Sequence, residues 1–234
     1  MTCMAKPSES DKFLRNNIPG IFLSQPVPRD SIERILDLAR RAPSGVNAQP
    51  WNVFVLQGRA RAALVGPATA TVAGLVRNAA SQAVFWEQFN RHPGTRDWPG
   101  QGPQRTGDGF LSAAMAAASL DPAKTQAELE HYFRFFDVPV GLMFTISRDL
   151  GFGSLLDYGM FLQNIVLAAR VRGLHARIQT GWKGVADIVL PSLSALDDAL
   201  LVCGMALGYA DASQAPSDFQ AALAPIANFI TWHE

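Results

Sequence analysis

Cysteine is nearly absent from this chain. Cys3 and Cys203 are the only two in 234 residues, one close to the N-terminus and one in an apolar run, which argues against a disulfide framework or a thiolate metal site. The four histidines, at 92, 131, 175 and 233, keep no ligand spacing, so zinc chemistry is not expected. Net charge is missing too: 20 basic and 20 acidic residues cancel. With no lysine- or arginine-rich run, neither nucleic acid nor a membrane surface is an expected partner. The opening MTCMAKPSESDKFLRNN has no apolar stretch of the kind that directs export, and no uninterrupted apolar run approaches the length of a bilayer span. The expected compartment is therefore a reducing cytoplasm. No internal repeat is present, and no Ser–His–Asp or Cys–His pattern marks a nucleophile, so no catalytic acid or base is assigned.

What is abundant is apolar sequence, 48% of the chain, enough for one sizeable core. Residues 1–234 are read as a single domain. Asp30 and Glu33 have capping-box spacing ahead of an apolar face of Ile32, Ile35, Leu36 and Ala39, which predicts a helix from Asp30 to Ala42 stopped by Pro43. Residues 51–57 read as a strand and 59–78 as an alanine-rich helix. Residues 86–120 are rich in Pro and Gly and too long for an ordinary connection, which suits a lid or substrate loop, or plain surface chain. A helix from Asp121 to Phe136, a strand at 139–147 and an all-round apolar helix at 154–171 follow, then strands in LHARIQ and ALLVCGMALG. Strands separated by helices predict a layered sheet-and-helix domain. A central helix apolar on every side is expected to be buried all round, part of its cover coming from a second subunit in a homodimer.

The most unusual stretch is RRAPSGVNAQPWNVFVL, residues 40–56. Small residues and amides crowd the junction between helix and strand. Such a loop lets backbone approach a flat ligand while the Asn47 and Gln49 amides orient it. It also serves as an ordinary connection with Pro as a stop signal, and composition alone favours that reading.

APSGVNAQPW resembles the signature of the nitroreductase family, FMN-dependent NAD(P)H oxidoreductases. PVPRDSIERIL, FRFFDVPVGLMFTISRDL, YGMFLQNIVLAARVRGL, QTGW and MALGYAD extend the resemblance over roughly residues 15–234, nearest the nitrobenzoate-reductase-like branch. It implies an α+β, three-layer fold with a mixed, mainly antiparallel sheet flanked by helices, in an intertwined homodimer. It also implies FMN at the subunit interface, reduced by NAD(P)H and oxidised by a small aromatic substrate. On that resemblance Pro43, Ser44 and Asn47 contact the flavin, Thr180 and Gly181 present N–H groups towards its N5, and Gln163 and Asn164 lie on the buried helix, as flavin contacts or as buried amides that satisfy loops. Trp98, Phe110, His131, Phe135 and Phe136 are aromatic candidates to stack on substrate, or else packing residues, FRFFD burying at least two rings.

The chain departs from the family where the phosphate is gripped. The expected basic or polar positions hold Asn16, Ile18 and Gly20 near the start, and Gln220 and Leu223 near the end. Arg15, one residue from an expected arginine, is the candidate replacement. Two functions therefore stand open: a flavin oxidoreductase acting on a nitroaromatic, quinone or related conjugated compound, and a protein of the same fold that has lost FMN and uses the interface pocket for a non-redox reaction or for binding.

Overall fold

In the computed structural model, residues 22–75, 78, 80, 122–211 and 226–233 are described. The first helix, α1, is Arg29–Ala39, followed by a 3-10 turn at Gly45–Asn47 and strand β1, Asn52–Gln57. Helix α2, Gly58–Leu75, starts directly from β1, the junction being Gly58 at φ +49°, a left-handed angle glycine tolerates best. Helix α3 is Pro122–Phe133 and strand β2 is Val140–Ser147. Helix α4 is Phe152–Val171, strand β3 His175–Gln179, helix α5 Ala186–Ser192 and strand β4 Ala199–Gly208.

The strands form one sheet in the order β1-β2-β4-β3, and every described pairing is antiparallel. Central β2 is buried from Val140 to Ile146, and β4 is buried at nearly every position. Both therefore read as continuous apolar runs, whereas edge strand β1 is largely open. One apolar cluster joins α1 and α4 to one face of the sheet. A second joins α2, α3 and α5 to the other, completing the three layers.

Several expectations are corrected by the packing. Asp30 and Glu33 form no capping box: the N-cap is Pro28, without a side-chain cap bond, and Glu33 instead accepts from the Arg29 guanidinium at 2.6 Å. Helix α3 stops at Phe133 because Phe135, Phe136 and Asp137 take φ of +56°, +52° and +59°, a left-handed turn that no helix continues through. That turn lays Phe135 over Gly141, where a Cβ would lie 2.6 Å from the ring, and against Trp182 at 4.6 Å between centroids. The FRFFD rings Phe133, Phe135 and Phe136 are accordingly all buried.

Within this one chain helix α4 is covered on part of its surface, which leaves a flank for the cover expected from a second subunit. Tyr158, Phe161, Ile165 and Ala169 face the sheet, but Leu156 is 63% exposed and Gly159 and Gln163 are open. By length and composition its 20 residues could cross a bilayer, but Asp157, Gln163, Asn164 and Arg170 interrupt the apolar run. Its packing on the sheet makes it the core helix of one layer.

Candidate functional site

The loop between α1 and β1 is held by α4. The Asn164 amide donates to the Ala39 carbonyl at 3.4 Å, the Asp157 carboxylate accepts the Gly45 N–H at 3.0 Å, and the Tyr158 hydroxyl faces the carbonyls of Asn52 at 3.1 Å and Thr145 at 3.0 Å. Start, middle and end of residues 39–52 are thus tied to one helix. Within the loop the Ser44 hydroxyl accepts the Gln49 N–H at 3.0 Å, and Trp51 stacks on Phe161 at 4.6 Å with planes 5° apart.

The loop backbone is strained. Val46, Asn47 and Gln49 have φ of +47°, +59° and +45°, costing of order 1–3 kcal/mol each. Val46 is the most telling, because a β-branched residue rarely adopts that region and this one is fully exposed. Such strain persists only where the surroundings impose it, and the Asp157, Asn164 and Tyr158 bonds supply that constraint.

Beside this loop lies an open groove of about 490 Å³, walled by Pro43 and by Leu155, Leu156, Gly159, Met160, Gln163 and Asn164 of α4. Its walls are chiefly apolar, with two amides among them. Gly159 leaves it open: a Cβ there would meet nothing within 4 Å. Of the two alternatives open for the amides of α4, Gln163 is exposed on this groove, where it can meet a ligand, while Asn164 is half-buried and serves the Ala39 carbonyl.

Thr180 and Gly181 begin the 3-10 turn Thr180–Val185 after β3, on the opposite edge of the sheet from β1. Gly181 is buried, and its N–H donates to the Tyr132 hydroxyl at 2.9 Å. Gln179 donates to the Tyr132 carbonyl at 2.5 Å. Trp182 fills the space where Gly204 lacks a Cβ. Buried Gln179 Oε1 and Trp182 Nε1 have no partner among the described residues.

His131 and Phe136 lie near the end of α3. The Phe136 ring is buried, with the Arg177 guanidinium 3.8 Å from its centroid and His131 edge-on at 5.3 Å. Burial lowers the His131 pKa, opposed by Asp137, whose carboxylate lies 3.5 Å from Nε2. The groove beside Pro43 includes neither residue. Arg15, Asn16, Ile18, Gly20, Trp98, Phe110, Gln220 and Leu223, and the expected lid at 86–120, lie outside the described residues.

Two titratable groups sit deep beneath the site. Burial pushes the Cys203 thiol up to about 12, against the pull of Lys183, and raises the Tyr158 phenol well above its usual value. Both stay protonated near neutrality, so the Cys203 thiol offers no nucleophile. Among the described residues no group of His, Cys, Asp and Glu could hold a metal ion.

The Nitroreductase family model matches residues 21–209. This chain belongs to the nitroreductase family. It is 34% identical over 214 residues to the chloronitrobenzene nitroreductase of Comamonas testosteroni, spanning 91% of this chain and 92% of that protein. It is 35% identical over 193 residues to the 4-nitrobenzoate reductase of Pseudomonas putida, spanning 81% and 80%. Among solved structures, the FMN and NADPH-dependent nitroreductase NfnB from Sphigopyxis sp. strain HMH superposes with a TM-score of 0.74 at 28% identity, covering 98% of this chain and 100% of the other. The expected α+β nitroreductase-like fold is thereby established.

Family membership gives the strained loop a context that composition could not supply. Asp157, Tyr158, Tyr132 and Gly159 escaped the sequence reading. Asp157 carried one usable signal, as the lone acid within an otherwise apolar helix.

Proposed function

We propose that this nitroreductase-family protein is an FMN-dependent oxidoreductase, passing a hydride from NAD(P)H to a nitroaromatic, quinone or related conjugated small molecule. The observation that carries the reading is the strained, amide-bearing 43–50 loop clamped beside a shallow apolar groove. Pro43, Gly159 and Met160 form a wall suited to a flat ring, and the Asn47 and Gln163 amides are the donors and acceptors available to its polar edge. FMN, when bound, supplies the hydride relay. The protein's share is to orient it and to exclude water, with the aromatic candidates Trp98, Phe110 and His131 assigned to the substrate side and Phe136, buried against Tyr132 and Arg177, left to packing.

A homodimer accords with this arrangement. Edges β1 and β3 stand three strand spacings apart, about 14 Å, so one ring that meets both the Pro43–Asn47 loop and the Thr180–Gly181 turn would draw them from two protomers. The exposed flank of α4 and the exposed Val46 are apolar surface for such a partner. We read the chain as one domain with 86–120 as a cover loop, working in the cytoplasm with its thiols reduced.

The donor set fits the ring better than the phosphate. Asn16, Ile18, Gly20, Gln220 and Leu223 bring no cation to the positions where the family resemblance expects basic or polar groups, leaving Arg15 as the candidate anchor. That deficit favours the second reading, a family member that has lost FMN. An absorption spectrum after soaking in FMN and gel filtration separates the two: a retained yellow band that bleaches with NADPH under anaerobic conditions establishes the redox reading, and a protein that stays colourless refutes it.

A further inference from the structure

The resemblance expects the Gly181 N–H to face a ligand, yet in this chain it is spent inside the protein. Its acceptor is the hydroxyl of Tyr132, 2.9 Å away and 49 residues earlier in the chain. Tyr132 is 1% exposed and packs edge-on to Phe133 and Phe136, at 5.2 and 5.5 Å between centroids. These rings belong to the layer formed by α2, α3 and α5, on the opposite face of the sheet from α4 and its groove. The same residue takes a second bond from the turn, its carbonyl accepting from Gln179. Tyr132 thereby grips Gln179 and Gly181, the residues on either side of Thr180, and turns the second amide inward.

We propose that the Tyr132 hydroxyl is a positioning group that withholds the Gly181 N–H from the ligand side of the Thr180–Gly181 turn. Among the amides of the turn it thus selects those left to meet a ligand. If the hydroxyl is removed, the Gly181 amide has no acceptor in the aromatic layer, and the penalty of a buried donor without a partner favours a turn rotated to offer that N–H on the ligand side. The consequence for a bound flavin rests on the function proposed above. Oxidised N5 accepts a hydrogen bond, whereas reduced N5 carries a proton. An extra donor therefore favours the oxidised ring.

The test is Tyr132→Phe, which keeps the ring and its packing. Amide hydrogen exchange on the protein without ligand comes first. In the unmodified protein Gly181 should be as protected as Met205 and Ala206 of β4, and in Tyr132→Phe its protection alone should fall at least about tenfold. Fast exchange at Gly181 in the unmodified protein, or unchanged protection in the variant, overturns the proposal without reference to flavin. Equilibrium titration comes second: in Tyr132→Phe the preference for oxidised over reduced FMN should rise about two- to tenfold, the worth of one hydrogen bond. Lost protection with an unchanged preference also overturns it, leaving a purely structural bond. Should the unmodified protein bind no FMN, the function reading fails and the exchange measurement alone decides the proposal.

Discussion

The Asp157 carboxylate on α4 accepts the Gly45 N–H at 3.0 Å, joining residues 112 apart in the chain. It holds the middle of a loop in which Val46, Asn47 and Gln49 all have positive φ. A hydrogen bond to a charged acceptor contributes about 1.5–3 kcal/mol. Asp157→Ala should therefore weaken FMN binding by roughly tenfold or more, as the loop relaxes towards ordinary backbone angles. Asp157→Asn keeps an acceptor oxygen and should recover most of the affinity. Fluorescence titration of FMN with the three proteins measures this, and equal affinities would show that the clamp is irrelevant to the ligand.

Two glycines in the central strands admit aromatic rings to the sheet face. A Cβ at Gly204 would stand 2.4 Å from Trp182 Cδ1, and one at Gly141 would stand 2.6 Å from Phe135 Cζ. Both neighbours are fully buried rings in one apolar cluster, so neither can step aside cheaply. Gly204→Ala and Gly141→Ala should each destabilise the fold by about 1–3 kcal/mol through overpacking. Chemical denaturation reads this directly, and a neutral result at Gly204 would mean that the indole can tilt away.

How much of this was legible beforehand follows from where the information resides. Helices α1 and α4 and strands β2 and β4 announced themselves through local apolar pattern, because burial of a face imposes that pattern. The left-handed turn at Phe135–Asp137 did not, since Phe-Phe-Asp lacks the Gly or Asn that usually marks such angles. Tertiary packing on Gly141 imposes it. Helix α4 is apolar on nearly every side, and composition shows that some of that surface exceeds what one chain can cover without showing which residues form the open flank. At the site, Pro43, Ser44 and Asn47 were visible as a motif, whereas the residues that tie their loop down, Asp157, Tyr158 and Asn164, act from more than a hundred residues away. Of these only Asn164 was singled out, by resemblance.

Stability should be greatest between about pH 6.5 and 9. Burial lowers His131 and His175 below their ordinary 6.5. As pH falls through that value the unfolded chain takes up protons before the folded one, and stability declines. On the alkaline side burial lifts Cys203 from 9.0 to about 12. Below pH 9 both states keep the thiol proton. Between 9 and 12 only the unfolded chain releases it, at a cost of up to about 1.4 kcal/mol per pH unit. Lys183, held below its ordinary 10.5 by burial, acts in the opposite sense, so Cys203→Ala is the variant that isolates the thiol. Tyr158, lifted likewise by burial above its ordinary 10.0, adds its own loss above that value, so melting temperature against pH should lose its decline between about 9 and 10 in Cys203→Ala and keep the steeper fall beyond; an unaltered decline between 9 and 10 would assign it to other groups.

The cation-poor phosphate positions make the sharpest statement about affinity. With Asn16, Ile18, Gly20, Gln220 and Leu223 where the family resemblance expects basic or polar contacts, the function proposed above leaves Arg15 as the candidate cation for the phosphate of FMN. Riboflavin, which presents the same ring without the phosphate, should therefore bind within about tenfold of FMN, less than the 1.5–3 kcal/mol of one full charge-assisted bond allows. Arg15→Ala should erase even that difference while leaving riboflavin affinity unchanged. Asn16→Arg with Gly20→Arg should tighten FMN by roughly tenfold to a hundredfold and riboflavin by less, because the resemblance places these positions at the phosphate as well as at the pyrimidine edge that both flavins share. Parallel titrations with the two flavins read all three expectations, the ratio of the two affinities reporting the phosphate alone. A native preference for FMN of a thousandfold or more would mean that cations elsewhere in the chain have taken over the anchor.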